Sequence, residues 1–236
     1  MSIKLVDDAK LTAIGNAIRS NGGTSSLLTL DQMPQAIANL PSGGADTLNT
    51  MLTNNLTEFE SAASVTSLQQ YLFYGKTSLE TVSLPNVTAI EQYAMYHCTG
   101  LTSLNAPNVQ SIATFALAGC SGLTSLTLPG LTGAVASHAI RDCTSLARVD
   151  MYAPTQLGGN AFALDTALLV LIIRRTDAIT TLQNTGVFAN SAIAKGDGYV
   201  YVPRSLVDTY KAATNWTAIA SKIRAIEDYP DICDPS

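Results

Sequence analysis

Charged side chains are scarce in this sequence: 13% of its 236 residues are Asp, Glu, Lys or Arg, against 47% that are hydrophobic. The 13 basic residues are outnumbered by 18 acidic ones, and the formal net charge is −5. Binding to nucleic acid or to an anionic membrane surface requires clustered Lys and Arg, so the sequence disfavours both classes of partner. The composition favours an elongated fold that spreads Ser, Thr and Asn over a large surface.

Motifs that carry chemistry are also missing. The two histidines, His97 and His138, lie in no HExxH motif, and neither is beside a GxSxG nucleophile; there is no GxxxxGK loop. Asp and Glu are scattered, without the pairing that acid-base catalysis or calcium binding needs. No CxxC pair is present to form a zinc site. The sequence therefore predicts a protein that is not an enzyme and needs neither a metal nor a cofactor.

Long hydrophobic runs are absent as well. No uninterrupted stretch of about 18 apolar residues exists, so no membrane insertion is expected. Residues 1–10 contain no apolar run behind a basic start, which predicts no secretory signal peptide and synthesis in a bacterial cytoplasm.

A repeat with a period of about 22 residues dominates the sequence. Each copy begins with a leucine and continues with alternating apolar residues such as Val82 and Leu84, and then with an apolar pair such as Ile112 and Ala116. The first leucines of six copies are spaced almost evenly along the chain, which is not expected by chance. These leucines are Leu56, Leu79, Leu101, Leu123, Leu146 and Leu168.

The pattern of one copy predicts one short strand, ended by a proline, and a helical return turn. One copy cannot bury its apolar side alone, so stacked copies form a parallel sheet over a continuous core. The predicted fold class is an α/β leucine-rich-repeat solenoid over residues 45–203, with a helix over residues 45–55 and a last strand at Val200 and Val202. The other strands are predicted to begin near Leu79, Leu101, Leu123, Leu146 and Leu168.

Three cysteines follow the same period. Cys98, Cys120 and Cys143 are each one repeat apart, which predicts a buried column of reduced thiols. Asp165 stands at the next position of this column, and we expect the coil to be more open there.

The N-terminal residues differ in kind from the repeats. A helix opened by Asp7 or Asp8 and a second helix capped by Asp31 predict a small helical module over residues 1–40. Pro-Ser-Gly-Gly at residues 41–44 predicts a flexible linker. A module of this size has too small a core to be robustly stable alone. We therefore expect it to dock on a partner or on copies of itself.

The other end of the solenoid also needs a cover. Residues 204–229 predict a C-terminal helical cap, with Ser205 as its N-cap and Trp216 as the plug of its core. Residues 230–236 predict a loose tail, with Cys233 as a free thiol. The apolar stripes of the cap consist of Leu206, Val207, Tyr210, Ala213, Ile219, Ile223 and Ile226.

Two repeat positions are occupied mainly by aromatic residues, and they are the candidate binding residues. The alternative is that the rings stack along the flank of the solenoid and only cover it. Rings that point outward would form an exposed stripe suited to sugar or protein recognition. The polar strand face, extended by Tyr199 and Tyr201, is a further candidate. The first column is Tyr71, Tyr93, Phe115 and His138, and the second is Tyr74 and Tyr96.

The repeat resembles a known family. The unit LTSLNAPNVQSIATFALAGCSG at residues 101–122 resembles the BspA-type leucine-rich repeat of bacterial surface and gut-associated proteins. Residues 198–229 are similar to the usual C-terminal ending of that family. The resemblance covers residues 56–229 and implies the leucine-rich-repeat fold rather than a particular function.

A second resemblance concerns the N-terminal module. The stretch LTAIGNAIRSNGGTSSLLTLDQMPQAI at residues 11–37 is similar to a short module at the start of phage and prophage structural proteins of gut Firmicutes. That resemblance implies a virion tail or tail-tip component with an exposed recognition domain.

The two resemblances together suggest a phage virion structural protein without enzymatic activity. Residues 1–40 would attach to other tail proteins, and the solenoid would bind a glycan or protein on the host surface. BspA-type adhesins are exported, so the expected lack of a signal peptide favours the virion. The alternative is a bacterial cell-surface adhesin or an intracellular protein-binding scaffold.

Overall fold

The computed structural model of the chain describes residues 4–5 and 56–234. Several predictions for the N-terminal part therefore lie outside the described residues. They are the helices at Asp7 or Asp8 and at Asp31, the linker 41–44 and the helix 45–55.

The front layer of the solenoid is built from parallel strands, one from each coil. The strands are β1 (Lys4–Leu5), β2 (Glu58–Ser61), β4 (Thr81–Ser83), β6 (Ser103–Asn105), β8 (Ser125–Leu128), β10 (Arg148–Met151), β12 (Val170–Ile173), β14 (Tyr199–Val202) and β15 (Ile223–Ala225). A four-stranded sheet in the order β1-β2-β4-β6 is followed by a five-stranded sheet in the order β8-β10-β12-β14-β15.

The predicted parallel pairing is confirmed. Strands β4, β6, β8, β10 and β12 each begin two residues after the repeat leucine, which is itself fully buried. Alternation along each strand buries one residue and exposes the next: Leu104 points into the core, whereas Ser103 and Asn105 face outward. One strand was not anticipated, because β1 pairs with the outer edge of β2.

A second sheet replaces the helical return turn that the sequence predicts. This back sheet is six-stranded, and all of its strands are two residues long and parallel. The N–H that follows each strand after the first donates to the preceding coil, as in the bond from Ala113 N to Ile90 O (2.9 Å). Turn bonds such as Ala116 N to Ala113 O (3.2 Å) begin only beyond the strand. The strands are β3 (Ser67–Leu68), β5 (Ala89–Ile90), β7 (Ser111–Ile112), β9 (Ala134–Val135), β11 (Gln156–Leu157) and β13 (Thr181–Leu182).

Small residues allow the coils to stack closely on the remaining side, which we call the turn side. It runs from each back strand to the next front strand, for example over residues 91–100. Ala94, Ala116, Ala139 and Ala161 are fully buried there. Their carbonyl oxygens accept N–H bonds from the preceding coil at 2.7 to 3.1 Å.

The cysteine column is confirmed as a buried, reduced set. Cys98, Cys120 and Cys143 have no exposed surface and are free thiols. Each thiol donates to a backbone carbonyl of the preceding coil, at 3.0, 3.2 and 3.3 Å respectively. Burial raises the pKa of the Cys98 thiol to about 12. The column therefore acts as packing, because a reactive cysteine requires an accessible thiolate.

Asp165 overturns the expectation of a more open coil. It is fully buried, and its Oδ1 accepts a 2.8 Å hydrogen bond from the backbone N–H of Cys143. Its Oδ2 has no hydrogen-bond partner. Burial raises the pKa of this carboxyl well above its usual value. Desolvation disfavours the charged form of the carboxyl, and the column remains closed around Asp165.

Asp165→Asn is expected to weaken the dependence of stability on pH. The folded protein holds the Asp165 proton more tightly than the unfolded chain does. Ionisation above about pH 4 therefore lowers wild-type stability by up to about 1.4 kcal/mol per pH unit, until the folded pKa is reached. Denaturant unfolding at several pH values should show a flatter profile for Asp165→Asn. Asp197→Asn, at an exposed aspartate, is the control. Identical profiles for wild type and Asp165→Asn would contradict the prediction.

The last front strands and short helices close the C-terminal end. Three α-helices are described: α1 (Ala192–Lys195), α2 (Val207–Ala212) and α3 (Pro230–Cys233). Segments of 3₁₀ helix lie at Thr185–Phe188, Arg204–Leu206, Trp216–Lys222 and Ile226–Asp228.

Trp216 fills the centre of this end, as the sequence predicts. It is fully buried, and its ring packs edge-on against Tyr210 at 4.9 Å. The two rings also bind one backbone unit. The Trp216 Nε1–H donates to the carbonyl of Thr180 (2.7 Å), and the Tyr210 hydroxyl accepts from the Thr180 N–H (2.8 Å).

Three details of the cap differ from the prediction. Ser205 lies inside a 3₁₀ helix and caps nothing. Ile223 belongs to β15, because the otherwise open edge of β14 pairs with it. Residues 230–234 are not loose: α3 packs on the front layer, and Cys233 is 1% exposed.

Candidate functional site

The residues of the first aromatic column all have left-handed backbone. The φ angles of Tyr71, Tyr93, Phe115 and His138 lie between 57° and 61°. A non-glycine residue in this region costs roughly 1–2 kcal/mol, and Asn or Asp adopt it most readily. Asn160 occupies the next copy of the position, with φ of 57°. The rings therefore stand where backbone preference alone would favour a small residue.

These side chains form one continuous ladder along the turn side. The ring centroids of Tyr71 and Tyr93 are 5.1 Å apart, those of Tyr93 and Phe115 are 5.1 Å apart, and those of Phe115 and His138 are 4.7 Å apart. The planes are inclined by 5°, 4° and 19°. Such spacing in near-parallel rings is offset stacking, which aromatic quadrupoles favour.

The ladder ends at a polar contact. Asn160 Nδ2 lies 3.2 Å from His138 Nε2. An amide nitrogen donates, so this contact fits the tautomer in which His138 Nε2 is the acceptor. Partial burial and the nearby Arg141 both lower the pKa of His138, which is consistent with that form.

The second column packs against the first. Tyr74 and Tyr96 stack at 5.0 Å with their planes inclined by 23°. Tyr96 meets the Tyr93 ring at 5.4 Å and 77°, and Tyr74 meets Tyr71 at 5.8 Å. All six predicted residues thus form one contiguous surface. We call it the aromatic stripe: Tyr71, Tyr74, Tyr93, Tyr96, Phe115 and His138.

Solvent reaches the stripe, although its rings are packed. Tyr71 and Tyr74 are 44% and 46% exposed, and the other members are half-buried. The two interpretations left open by the sequence are therefore compatible. The rings stack along the flank of the solenoid, and they also present accessible aromatic surface.

His97 widens the stripe and was not selected from the sequence. It is exposed, and its ring lies 4.3 Å from that of Tyr96. It also covers Gly119, where an added Cβ would come within 3.0 Å of the imidazole. The available signal was the glycine spacing, because Gly75, His97 and Gly119 share one left-handed repeat position.

The polar strand face is only partly as expected. Its N-terminal half is polar, and Asn105 Nδ2 donates to Ser83 Oγ at 3.4 Å. Tyr199 and Tyr201 do not extend an open surface. Tyr201 is 3% exposed beneath the C-terminal residues, and Tyr199 lies under Lys222 and Arg224.

Among residues 4–5 and 56–234, no group of three or more His, Cys, Asp or Glu could hold a metal ion. No helix in the same part of the chain is long and apolar enough to cross a membrane.

Stacked coils with two layers of parallel strands and a repeat leucine define a leucine-rich-repeat solenoid. The chain belongs to the family described as BspA type leucine rich repeat region, whose model matches six copies over residues 50–169. This confirms the first resemblance. The match begins after residues 11–37, so the second resemblance stays a proposal.

Solved structures with similar folds come from bacteria. A leucine-rich repeat protein from Bacteroides ovatus is 22% identical, with a TM-score of 0.46 over 63% of this chain and 40% of that one. A leucine rich cell surface protein from Faecalibacterium prausnitzii is 19% identical, with a TM-score of 0.32 over 75% and 62%. This chain thus spans less than two thirds of either. A search of curated proteins found no significant match.

Proposed function

We propose that this chain is a non-enzymatic binding protein that recognises a protein or glycan on a cell surface through the aromatic stripe. The observation that carries the proposal is the stripe itself. Six rings form one accessible patch, and four of them project from left-handed backbone positions. Such side chains are preorganised, so they lose little conformational entropy on binding.

The energetics also support a binding role. Each left-handed residue costs roughly 1–2 kcal/mol, whereas each stacked aromatic pair gains about 0.5–1.5 kcal/mol beyond burial. Stacking therefore does little more than offset the backbone strain. Asn, which stands at residue 160, adopts the same backbone at lower cost. Strain retained at a solvent-facing site is typical of functional surfaces.

The place of action is proposed from the two resemblances. The similarity of residues 11–37 to phage structural modules supports a virion tail component, attached to other tail proteins through residues 1–40. Membership of the BspA-type family supports the second candidate, an adhesin on a bacterial surface. A tail component co-purifies with virions, whereas an adhesin is found in the cell-envelope fraction. An intracellular scaffold would be found in neither fraction.

Tyr74→Ala and Tyr96→Ala are expected to lose binding without losing stability. Truncating an aromatic residue at the centre of an interface typically costs on the order of 2 kcal/mol, or about thirtyfold in affinity. The assay measures adsorption of the labelled protein to bacterial cells that bind the wild type, together with the melting temperature. Tyr152→Ala is the matched control, because Tyr152 is 53% exposed and lies outside the stripe.

The opposite result would return the stripe to a purely structural role. In that case Tyr74→Ala and Tyr96→Ala lower the melting temperature, and the folded fraction adsorbs as the wild type does. Equal loss of adsorption in Tyr152→Ala would also contradict the proposal, since binding would then not depend on the stripe.

A further inference from the structure

The outer face of the front layer changes character along the solenoid. On β4, β6 and β8 it carries small polar side chains such as Ser83 and Ser103. On β12 and β14 it carries apolar ones, and residues near the C-terminus cover them. They form a small cluster that is separate from the main core. Its buried members are Ile172, Tyr201 and Cys233, and its half-buried members are Val170, Tyr199, Ile226 and Tyr229.

Two arginines hold the covering residues by their backbone. We call residues 229–234 the C-terminal segment. Arg148 donates to the carbonyls of Ile232 and Cys233, the latter at 3.0 Å. Arg174 donates to the same Cys233 carbonyl at 2.8 Å and forms an ion pair with Asp234 at 2.9 Å. The front layer thus binds main-chain carbonyls and one carboxylate of the segment, and it buries one small side chain, that of Cys233.

Part of the receiving face is held by contacts that do not involve the C-terminal segment. Asp150 accepts two hydrogen bonds from Arg174, both at 2.8 Å, and so orients the guanidinium. Val149, Leu171 and Val200 anchor β10, β12 and β14 in the main core from the opposite side of the sheet. In contrast, α3 has only four residues, and a helix of this length is not stable by itself. The face therefore imposes the conformation of the segment.

We propose that the outer face of β10, β12 and β14 is a peptide-binding site, occupied by the chain's own C-terminal segment, and that the same segment of a second copy binds there in exchange. An identical segment can bind the same two arginines. It can also place its Cys233 in the same apolar recess, beside Ile172 and Tyr201. Such exchange between copies is a low-cost route to oligomers. A short tether gives the own segment an effective concentration on the order of millimolar, so exchange requires copies held close together.

The test compares binding of an added peptide when the chain's own C-terminal segment is docked and when it is undocked. Cys233→Lys in the full chain places an ammonium group in the apolar recess and is expected to undock the segment while leaving the face unchanged. Ile232→Lys adds the same charge at an exposed position and is the matched control. The probe is a fluorescein-labelled synthetic peptide of residues 227–236, with binding followed by anisotropy under reducing conditions.

We expect the peptide to bind Cys233→Lys at least tenfold more tightly than the wild type or Ile232→Lys, where the site is occupied. Adding Arg174→Ala to Cys233→Lys should weaken that binding at least tenfold. Tyr229→Asp, which removes the ring packed on Tyr201, is a second undocking variant. Trp216 fluorescence reports folding, since Trp216 lies in the main core.

Three results would overturn the proposal. The first is no binding to folded Cys233→Lys and folded Tyr229→Asp. The second is equal affinity for the wild type and both undocked variants, which would place the peptide elsewhere. The third is equally tight binding of a scrambled peptide, which would mean a general attraction for acidic peptides rather than for this segment.

Discussion

Trp216→Ala is expected to lower the free energy of unfolding by about 3–5 kcal/mol, the usual range for removing a large aromatic side chain from a core. The ring is fully buried and contacts both Tyr210 and Phe188. Its loss also leaves the Thr180 carbonyl without its 2.7 Å hydrogen bond inside the protein. An unsatisfied buried polar group adds to the cost of the cavity.

The measurement is denaturant unfolding followed by circular dichroism, because the variant removes the only tryptophan. Tyr210→Phe tests the contribution of the hydrogen bond alone, because it keeps the ring and removes the acceptor of the Thr180 N–H. We expect it to lower the free energy of unfolding by about 1–3 kcal/mol. Thr217→Ala, at the exposed neighbouring residue, is the control and should be close to neutral. A loss below about 1 kcal/mol for Trp216→Ala would show that this end carries little of the stability.

The effect is large because the last coil of a solenoid has no further coil to pair with its backbone N–H and C=O groups. In the middle, backbone groups bond to the backbone of the neighbouring coil, as Leu117 N does to Ala139 O (2.8 Å). Thr180 lies beside the last strand of the back sheet and has no such coil beyond it. The side chains of Trp216 and Tyr210 supply the donor and the acceptor instead. The cap therefore replaces the hydrogen bonds of a coil as well as its apolar surface.

Features that recur with the period were predictable from the sequence. The buried leucines, the cysteine column and the parallel front strands all repeat with the same period, so their register follows from alignment of the copies. The six members of the aromatic stripe came together for the same reason. The left-handed backbone at Tyr93 and its three equivalents did not follow from the pattern, because tyrosine and phenylalanine rarely adopt it.

Features that depend on distant contacts were missed. The spacing of Ile112 and Ala116 predicts a helical turn, but Ile112 lies in the two-residue strand β7 and Ala116 lies in the turn beyond it. Hydrogen bonds between coils decide in favour of the strand. The fate of residues 230–234 was also non-local, because their anchors, Arg148 and Arg174, lie far away in the chain.

One signal for the covered face was present in the sequence. Most front strands alternate between buried and exposed positions, but β12 reads Val-Leu-Ile-Ile and β14 reads Tyr-Val-Tyr-Val. A continuous apolar run indicates a strand that is buried on both faces. The sequence therefore indicated a cover over β12 and β14, although not which segment supplies it.

Deleting residues 101–122 is expected to leave a folded solenoid that is one coil shorter. The deletion removes one period and joins Gly100 to Leu123. The new junction is again Gly-Leu, as it is at Gly122 and Leu123 in the intact chain. Val82, which now pairs with Leu104, would then pair with Leu126 at the equivalent position. Stability in a repeat protein is roughly a sum over coils and their interfaces, so the shortened chain should unfold cooperatively at a lower temperature.

Deleting residues 100–122 is the control, and one additional residue should decide the outcome. The turn before each front strand is tight: Leu101 N donates to Cys98 O at 3.0 Å, so it has no slack to absorb a missing residue. If the turn keeps its geometry, Leu123 takes the position of Gly100 and β8 shifts by one position against β4; a one-residue slip turns every core side chain toward solvent. We expect no cooperative thermal transition by circular dichroism for this variant. Similar thermal transitions for both deletions would contradict the prediction. They would mean that stacking of these coils does not depend on the register set by the repeat.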